Sequence, residues 1–214
     1  MDFGCGTGEW ARAVRETGLV CLGADFLERL PPERPEQLLA IEPEPYRLPF
    51  PDSHFDLVFS VAVFEHVQDY DSALQEIRRV LKPGGVALHV FPARWRPIEP
   101  HVRVPLATWC RARWWLSLWA RLGIRKPSQR GRHWRLVAAE NERYLRESTT
   151  YLSRRALARH FSQAFPLTRF VEGAYLRAGG GRWGPGRSLI GRLPGAGAVF
   201  SEVRMRVVCS RREP

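Results

Sequence analysis

The first residues of the chain combine one acid with three closely spaced glycines, in the order Asp2-Phe3-Gly4-Cys5-Gly6-Thr7-Gly8. Glycine has no Cβ, so such a loop lets the backbone turn sharply and lets a bulky ligand lie against it. A loop that binds a dinucleotide would place a further glycine or alanine at position 9, where Glu9 stands. The loop therefore predicts a ligand-binding turn and argues against a nicotinamide dinucleotide.

Acidic and imidazole side chains at later positions could bind a ligand or move protons. Asp25 stands about 20 residues beyond the loop, where an acid commonly binds ribose hydroxyls. Glu65 and His66 follow an apolar run, and we expect them to contact an acceptor or remove its proton. His101, in the stiff segment 97–101, is a second candidate for acceptor contact. The alternative is that His66 only orders its loop and Glu65 is solvated.

The elements that must position these residues alternate between strands and helices. The sequence predicts helices over 9–17 and 69–81, and Asp71 or Ser72 can cap the second one. It also predicts strands over 19–24, 55–61 and 86–91. Seven prolines in residues 31–51 favour extended or looped chain there. This order predicts an α/β fold, a Rossmann-like doubly wound and mostly parallel sheet with ligands at the carboxyl ends of its strands.

The composition limits the kind of protein that this chain forms. It has 214 residues, of which 44% are hydrophobic and eight are tryptophan, too apolar for a disordered chain. The sequence has neither a run of about eighteen apolar residues nor a secretory pattern at its first residues, so we expect a cytoplasmic protein, with peripheral membrane association as an alternative. The four cysteines form no Cys-x-x-Cys pair, so we expect reduced thiols and no metal site.

Charge is distributed unevenly along the chain. Residues 1–92 hold 8 Arg or Lys against 15 Asp or Glu, whereas residues 93–214 hold 25 against 7. A basic half of this kind indicates an anionic partner such as a phosphorylated substrate, a membrane surface or nucleic acid. The alternative is that the arginine excess reflects GC-rich coding. Because the sequence has no recognisable RNA-binding motif, nucleic acid is the less expected partner.

A basic, aromatic segment over residues 93–150 separates the core, residues 1–92, from a C-terminal completion of the same domain, residues 151–214. The segment predicts an amphipathic helix over 106–124, whose apolar side carries Ala112, Trp115, Leu116, Trp119 and Leu122. We predict that Trp95, Trp115 and Trp119 contact the substrate. Two interpretations remain: a lid over the active site, or a helix on an anionic membrane surface.

Five motifs in register resemble one family. The motifs are Asp2-Phe3-Gly4-Cys5-Gly6-Thr7-Gly8, Leu48-Pro49-Phe50-Pro51-Asp52, Phe55-Asp56-Leu57-Val58, Phe64-Glu65-His66-Val67 and Arg79-Val80-Leu81-Lys82-Pro83-Gly84-Gly85. Together they resemble the class I S-adenosylmethionine-dependent methyltransferases of the branch called type 11. The resemblance is close over residues 2–92 and loose over 151–165 and 203–210, which would be the late helix and the antiparallel last strand.

The resemblance implies S-adenosylmethionine as the cofactor and a role for the glycine loop. Gly4, Cys5, Gly6 and Gly8 would form the loop beside the methionine part of the cofactor. Asp2 would help to position the amino end of that part.

The resemblance also implies contacts at the other end of the cofactor. Asp25 would bind the ribose hydroxyls, and Phe26 would lie beside the adenine. Glu44 stands where the family often has Asp-Ala for the adenine amino group. Ser60 and Val61 would face the cofactor from the end of their strand.

By this resemblance, the expected activity is methyl transfer to a small-molecule, lipid or glycan acceptor. Such a transfer is an in-line displacement, so orientation of the reactants supplies much of the acceleration. Two alternatives stay open. One is a non-catalytic relative that retains only binding, and the other is an RNA methyltransferase, whose RNA binding would be salt-sensitive.

Two segments carry expectations of their own. Only residues 1–3 represent the first strand, which the family places at the centre of the sheet, so we expect that the chain is truncated and that the working protein extends upstream. The glycine-rich segment 178–186 predicts a mobile loop between a strand ending near Leu176 and a short helix near Leu189.

Overall fold

The computed structural model describes residues 1–178 and 192–214. These residues form two compact units. The first unit comprises residues 1–91, 154–171 and 207–214, and the second comprises 92–153 and 172–206. The predicted domain division assigns all of 151–214 to the core, whereas in the structure residues 172–206 group with the segment that follows residue 91.

The helices and strands follow one another along the described chain. In order they are β1 Asp2–Phe3, α1 Glu9–Glu16, β2 Gly23–Asp25, β3 Leu38–Ala40, β4 Glu42–Pro43, β5 Tyr46–Arg47, β6 Phe55–Val61, α2 Tyr70–Val80, β7 Leu81–Pro92, α3 Arg113–Arg121, α4 Trp134–Glu147, α5 Arg154–Ala164, β8 Leu167–Phe170, α6 Glu172–Ala178, α7 Ala196–Val203 and β9 Met205–Arg211. Short 3-10 turns lie at Leu27–Arg29 and Pro127–Gln129.

The first unit is built on a seven-stranded sheet with the strand order β3-β2-β1-β6-β7-β9-β8. The pairs β2–β3, β1–β2, β1–β6 and β6–β7 are parallel. β9 runs antiparallel to β8, and it is also antiparallel to β7, because the Gly84 amide donates to Arg212 while the Arg212 amide donates to Gly85. The predicted fold class is confirmed, including the antiparallel last strand.

Two clusters of side chains form the core of the first unit. Ala11 of α1 is fully buried against Cys5, Cys21, Leu30 and Leu38. The ring of Phe64 is the centre of the second cluster, and its ring neighbours are Phe3, Tyr70, His89, Phe91 and Phe161. Burial of this apolar area fixes the strands whose ends meet the glycine loop.

Two local predictions for the N-terminal part were wrong in detail. In the helix predicted over 9–17, the spacing of Trp10, Ala13 and Val14 indicates one shared face, but Trp10 is 55% exposed and the buried residue of α1 is Ala11. The strand predicted over 19–24 is β2, Gly23–Asp25, because Leu19 and Val20 are 64% and 92% exposed before the sheet begins.

The helix predicted over 69–81 is α2, and its cap lies earlier than predicted. Asp69 caps it by accepting a hydrogen bond from the Ser72 amide at 3.0 Å, whereas Asp71 and Ser72 lie inside the helix. Leu81 already belongs to β7.

Arg79 of α2 fastens the proline-rich segment to the sheet. Its guanidinium donates to the carbonyl oxygens of Leu48 and Phe50 at 3.0 and 2.8 Å. It also forms ion pairs of 2.7 Å with Asp52 and Glu76. Part of the segment is strand rather than loop, because β3 pairs with β2 at the edge of the sheet.

The second unit contains α3, α4, α6 and α7. Its hydrophobic core consists of buried side chains from the start of the segment and from α3 and α4, namely Val102, Val104, Ala107, Leu116, Ala120, Val137, Ala138 and Leu145. Arg206 is also buried in this unit, where it donates hydrogen bonds to Ser201 and to both carboxylate oxygens of Glu202.

The helix predicted over residues 106–124 is shorter than predicted. Leu106 has φ +54°, which no α-helix contains, and Ala112 is extended, so α3 begins only at Arg113. It ends at Arg121, with Leu122 as its C-cap and Gly123, at φ +84°, directly after. Leu122, predicted on the apolar inward side, is 64% exposed.

The strand predicted to end near Leu176 was also wrong, because Leu176 lies in the helix α6. Residues 179–191, which include most of the predicted glycine-rich loop and the helix near Leu189, lie outside the described residues. Within 1–178 and 192–214, no helix has the length and apolar character that crossing a bilayer requires.

Candidate functional site

The glycine loop follows β1 and leads directly into α1. Gly4 has φ +73°, and a Cβ there would lie 2.5 Å from Cγ2 of Val63, so this position has room only for glycine. Gly6 has φ +49°, and a Cβ there would meet nothing within 4 Å. The loop is thus packed tightly at Gly4 and open at Gly6.

Asp25, at the end of β2, is bonded to this loop. Its Oδ2 accepts a hydrogen bond from the Gly6 amide and its Oδ1 accepts one from the Phe26 amide, both at 2.8 Å. Burial raises the pKa of Asp25 above its ordinary value, although the two amides oppose the shift. The carboxylate is therefore held in one orientation beside the loop.

Asp2 and Cys5 lie below the loop, in the interior. Asp2 is 2% exposed and accepts a hydrogen bond from the Ala11 amide at 3.2 Å, so it fastens the first turn of α1. Burial raises the pKa of Asp2 to about 6, against the opposing effect of that hydrogen bond. Burial raises the pKa of Cys5 to about 12, which keeps its thiol protonated. Their predicted contacts with the cofactor stay predictions.

A cavity of about 580 Å³ opens beside the loop, within the first unit. Its size is that of a small-molecule site. Of the residues predicted to bind the cofactor, it brings together Gly4, Gly6, Asp25 and Phe26, and of the predicted catalytic residues it includes His66. The complete lining is Phe3, Gly4, Gly6, Thr7, Asp25, Phe26, Arg29, Ile41, Tyr46, Ala62, Val63, His66, Val67, Gln68 and Asp69.

One wall of the cavity comes from the proline-rich segment. Tyr46 lies 6.1 Å from the ring of Phe26, in an edge-on arrangement, and Ile41 completes this wall. Burial raises the pKa of Tyr46, so its hydroxyl stays protonated. Glu44, the predicted adenine contact, is exposed in the turn between β4 and β5. The sequence signal for Tyr46 and Ile41 is weak, because their position depends on this small hairpin and on the pairing of β3.

The facing wall begins where β6 ends. Ala62 and Val63 line it, rather than the predicted Ser60 and Val61. Ser60 is 1% exposed, and its hydroxyl lies 2.8 Å from Nδ1 of His89. Burial lowers the pKa of His89 to about 3, so His89 is neutral in the interior of the first unit.

Glu65 and His66 have different surroundings. Glu65 is 1% exposed in the interior, whereas His66 is half-buried and lines the cavity. The His66 amide donates to the carbonyl oxygen of Val63 at 2.8 Å, in the turn that leads to α2. Asp69, the cap of α2, lines the same wall. Of the predicted pair, His66 is therefore the side chain at the cavity.

His101 belongs to the second unit, where a buried acid holds its ring. Nδ1 of His101 lies 2.7 Å from Oε1 of Glu99, which is fully buried. Glu99 also accepts hydrogen bonds from the Val102 amide and the Tyr151 hydroxyl at 2.6 and 2.7 Å. Burial alone would raise the pKa of Glu99, but His101, Val102 and Tyr151 together hold it below its ordinary value.

The three predicted substrate tryptophans also lie in the second unit. Trp115 and Trp119 are half-buried against the core between α3 and α4, and the Trp115 indole donates to the carbonyl oxygen of Pro105 at 2.7 Å. Trp95 is 46% exposed, with its ring 5.9 Å from that of Trp109. Trp115 and Trp119 thus contribute to packing, and the substrate contacts of all three stay predictions.

Comparison with known proteins identifies the domain that contains the cavity. Residues 1–89 match the family model described as a methyltransferase domain. This part of the chain is a class I S-adenosylmethionine-dependent methyltransferase domain. The family, the fold and the cofactor that the sequence predicts are thereby confirmed.

Two curated relatives of this methyltransferase domain are bacterial. The "Ubiquinone/menaquinone biosynthesis C-methyltransferase UbiE" of Laribacter hongkongensis is 38% identical over 112 residues, which cover 47% of this chain and 46% of that protein. The "Demethylmenaquinone methyltransferase" of Staphylococcus aureus strain MRSA252 is 38% identical over 98 residues, 41% of this chain and 40% of that protein. The chain thus matches less than half the length of these relatives.

Solved structures resemble the chain over a greater length than the curated relatives do. An S-adenosylmethionine-dependent methyltransferase from Mesorhizobium loti has a TM-score of 0.55 at 16% identity, and the match covers 99% of this chain and 89% of that one. A possible histamine N-methyltransferase from Thermotoga maritima has a TM-score of 0.51 at 16% identity, with 99% and 80% covered. At this identity the likeness concerns the fold.

Proposed function

We propose that this chain transfers the methyl group of S-adenosylmethionine to a small acceptor molecule in the cavity of the first unit. The observation that carries this proposal is the hydrogen bond between the Gly6 amide and Asp25, at the edge of that cavity. It supports the proposal because the open glycine loop and the acid at the end of β2 lie side by side in the lining of this cavity.

The residues present fit the cofactor. Each carboxylate oxygen of Asp25 accepts one backbone hydrogen bond and has a second lone pair, which suits the two hydroxyls of a ribose. Phe26, Ile41 and Tyr46 offer an apolar and aromatic wall to an adenine ring. The open space beside Gly6 leaves room for the bulk of the ligand.

Methyl transfer needs orientation more than it needs protein nucleophiles. When bound, the cofactor supplies an electrophilic methyl group on a sulfonium. This chain's residues would hold the acceptor in line with that group, which alone accounts for a large share of the acceleration. Val63 and Val67 would shape the acceptor side of the cavity, and His66 would hold or remove the acceptor's proton.

For the acceptor class, we propose the ring carbon of a reduced quinone. One of the two curated relatives is named a ubiquinone/menaquinone biosynthesis C-methyltransferase, and the other is named a demethylmenaquinone methyltransferase. Ionisation of a ring hydroxyl increases the electron density at the neighbouring carbon, so an imidazole near that hydroxyl assists the transfer. His66 would have this role, since it lines the cavity together with Val63 and Val67, whose apolar side chains an aromatic ring would contact.

Calorimetric titration of S-adenosylmethionine and S-adenosylhomocysteine into the full chain tests the cofactor site. We expect micromolar binding that Asp25→Ala weakens by about a hundredfold, because charge-assisted hydrogen bonds contribute roughly 1.5 to 3 kcal/mol each. Asp56→Ala is the matched control, since Asp56 is exposed at the opposite end of β6 and pairs with Lys82. Equal binding by the parent chain and Asp25→Ala would contradict the assigned site.

Methyl transfer itself is then measured with a radiolabelled donor. The acceptors to compare are a chemically reduced naphthoquinone, a phospholipid, a glycan and RNA. Label on the ring carbon of the naphthoquinone supports the proposed acceptor class. Label on another acceptor keeps the methyltransferase and rejects the quinone, whereas cofactor binding without transfer to any of them favours the non-catalytic alternative.

A further inference from the structure

We infer that the outer face of α3 binds the surface of an anionic membrane. On this helix Leu116 and Ala120 are fully buried in the core of the second unit. On the opposite side Trp114, Leu118 and Leu122 are 66%, 43% and 64% exposed. These three residues are called the apolar row below.

The apolar row is a continuous strip along the helix. Its residues are spaced by four, and side chains at that spacing are neighbours on one side of a helix. The ring of Trp114 lies 5.5 Å from that of Trp115, which is fixed in turn by its hydrogen bond to Pro105. A helix on a protein surface normally presents polar side chains to water, so an apolar strip of this kind indicates a contact surface.

Positive charge lies beside the apolar row. Arg121 is exposed and stands two helical turns after Trp114, so it lies next to the row, with its guanidinium 3.9 Å from the ring centre of Trp134. Arg113 is 60% exposed and pairs with Glu142 at 3.2 Å. The surrounding sequence has the same sign, since residues 93–214 contain 25 basic and 7 acidic residues.

An anionic lipid surface matches both features. Indole rings favour the headgroup region, leucine side chains favour the acyl boundary, and arginines pair with lipid phosphates. The exposed tryptophan of α3 is Trp114, whereas Trp115 and Trp119 are half-buried against the core of the second unit. This inference does not depend on the acceptor proposed above.

Vesicle flotation with the full chain tests the inference. The probes are vesicles of phosphatidylcholine with roughly one third phosphatidylglycerol, and vesicles of phosphatidylcholine alone. We expect binding to the anionic vesicles that falls with added salt, and a loss of about tenfold or more in Trp114→Ser/Leu122→Ser. The matched control is Trp10→Ser/Leu19→Ser in the first unit, whose side chains are 55% and 64% exposed. The control should bind like the parent chain.

A second variant guards against loss of folding. Leu122→Asp changes only the exposed C-cap residue of α3, and circular dichroism with thermal unfolding reports whether each variant is folded. The inference is overturned if the anionic vesicles do not bind the parent chain, or if the folded row variants bind them as well as the control does. It is also overturned if sedimentation finds a dimer that the row variants dissociate, or if RNA rather than vesicles binds through the row.

Discussion

The Gly6 amide donates a hydrogen bond of 2.8 Å to Oδ2 of Asp25, which joins the glycine loop to the end of β2 across the top of the sheet. The same carboxylate accepts the Phe26 amide through Oδ1. The hydrogen bond from the glycine loop therefore fixes the position of the Asp25 carboxylate. Changes in the loop and changes at Asp25 should act on cofactor binding together.

Two glycine substitutions should separate folding from binding. Gly6→Ala adds a methyl group to open space at the cavity, so we expect a cost of only about 1 to 2 kcal/mol for the left-handed backbone but at least a tenfold loss in S-adenosylmethionine affinity. Gly4→Ala would collide with Val63, and we expect it to lower the free energy of unfolding by roughly 2 to 4 kcal/mol. Urea unfolding and calorimetric titration measure the two effects. Gly6→Ala that binds like the parent chain would exclude the loop from the cofactor site.

The buried Asp2 should make stability fall as the pH rises. Its pKa is about 6 in the folded chain against an ordinary 3.8, so between these values the folded state keeps a proton that the unfolded state has lost. Relative to the parent chain, Asp2→Asn should become more stable from pH 4 to pH 7, by up to roughly 3 kcal/mol. Urea unfolding at both pH values measures this difference.

The control for Asp2 is Asp56→Asn. Lys82 lowers the pKa of the exposed Asp56, so its stabilising effect is present above its ordinary pKa and is lost as the pH falls. Between pH 4 and pH 7 the difference between the control variant and the parent chain should therefore stay almost constant, because both pH values lie above the ordinary pKa of Asp56, 3.8. A flat difference for Asp2→Asn would mean that the pKa of Asp2 is the same in the folded and the unfolded chain.

Replacement of His66 should affect turnover more than cofactor binding. If His66 accepts the acceptor's proton, His66→Ala should lower the transfer rate by about a hundredfold or more and remove the acid limb of its pH profile. S-adenosylmethionine affinity should change by less than about threefold. His54→Ala, at an exposed histidine outside the cavity lining, is the control. A rate loss with an unchanged pH profile would instead assign His66 to packing.

Arg79 should stabilise the proline-rich segment, which forms one wall of the cavity. It donates to two carbonyl oxygens and two carboxylates, so Arg79→Ala should cost roughly 2 to 4 kcal/mol of unfolding free energy. Arg79→Lys should restore only a minor part, because an ammonium lacks the planar fork that reaches all four partners. Arg78→Ala, at the exposed neighbouring residue, should be close to neutral in the same thermal or urea measurement.

The site could be predicted where it depends on local spacing. The glycine loop, Asp25 and the turn at His66 follow one another in the order that a βαβ arrangement requires, so their positions at one edge of the sheet follow from the sequence. Tyr46 and Ile41 could not be found in this way, because they reach the cavity through the β4–β5 hairpin and the pairing of β3 with β2.

Periodicity failed where the backbone leaves the allowed helical region. The apolar spacing over residues 106–124 indicates one helix, but Leu106 is left-handed and α3 starts seven residues later, at Arg113. The spacing also could not decide which tryptophans face the core. That choice depends on α4, which packs against Trp115 and Trp119 and leaves Trp114 exposed.

Asp69 belongs to two structures at once, since it caps α2 and lines the cavity. The first turn of α2 is therefore part of the wall that a bound ligand would contact, and fraying of that turn would disturb the wall. Ligand occupancy and opening of α2 are for this reason linked equilibria. In hydrogen exchange, the amides from Asp71 to Leu74 should exchange more slowly when S-adenosylhomocysteine saturates the chain, while those at the far end of α2 should respond less.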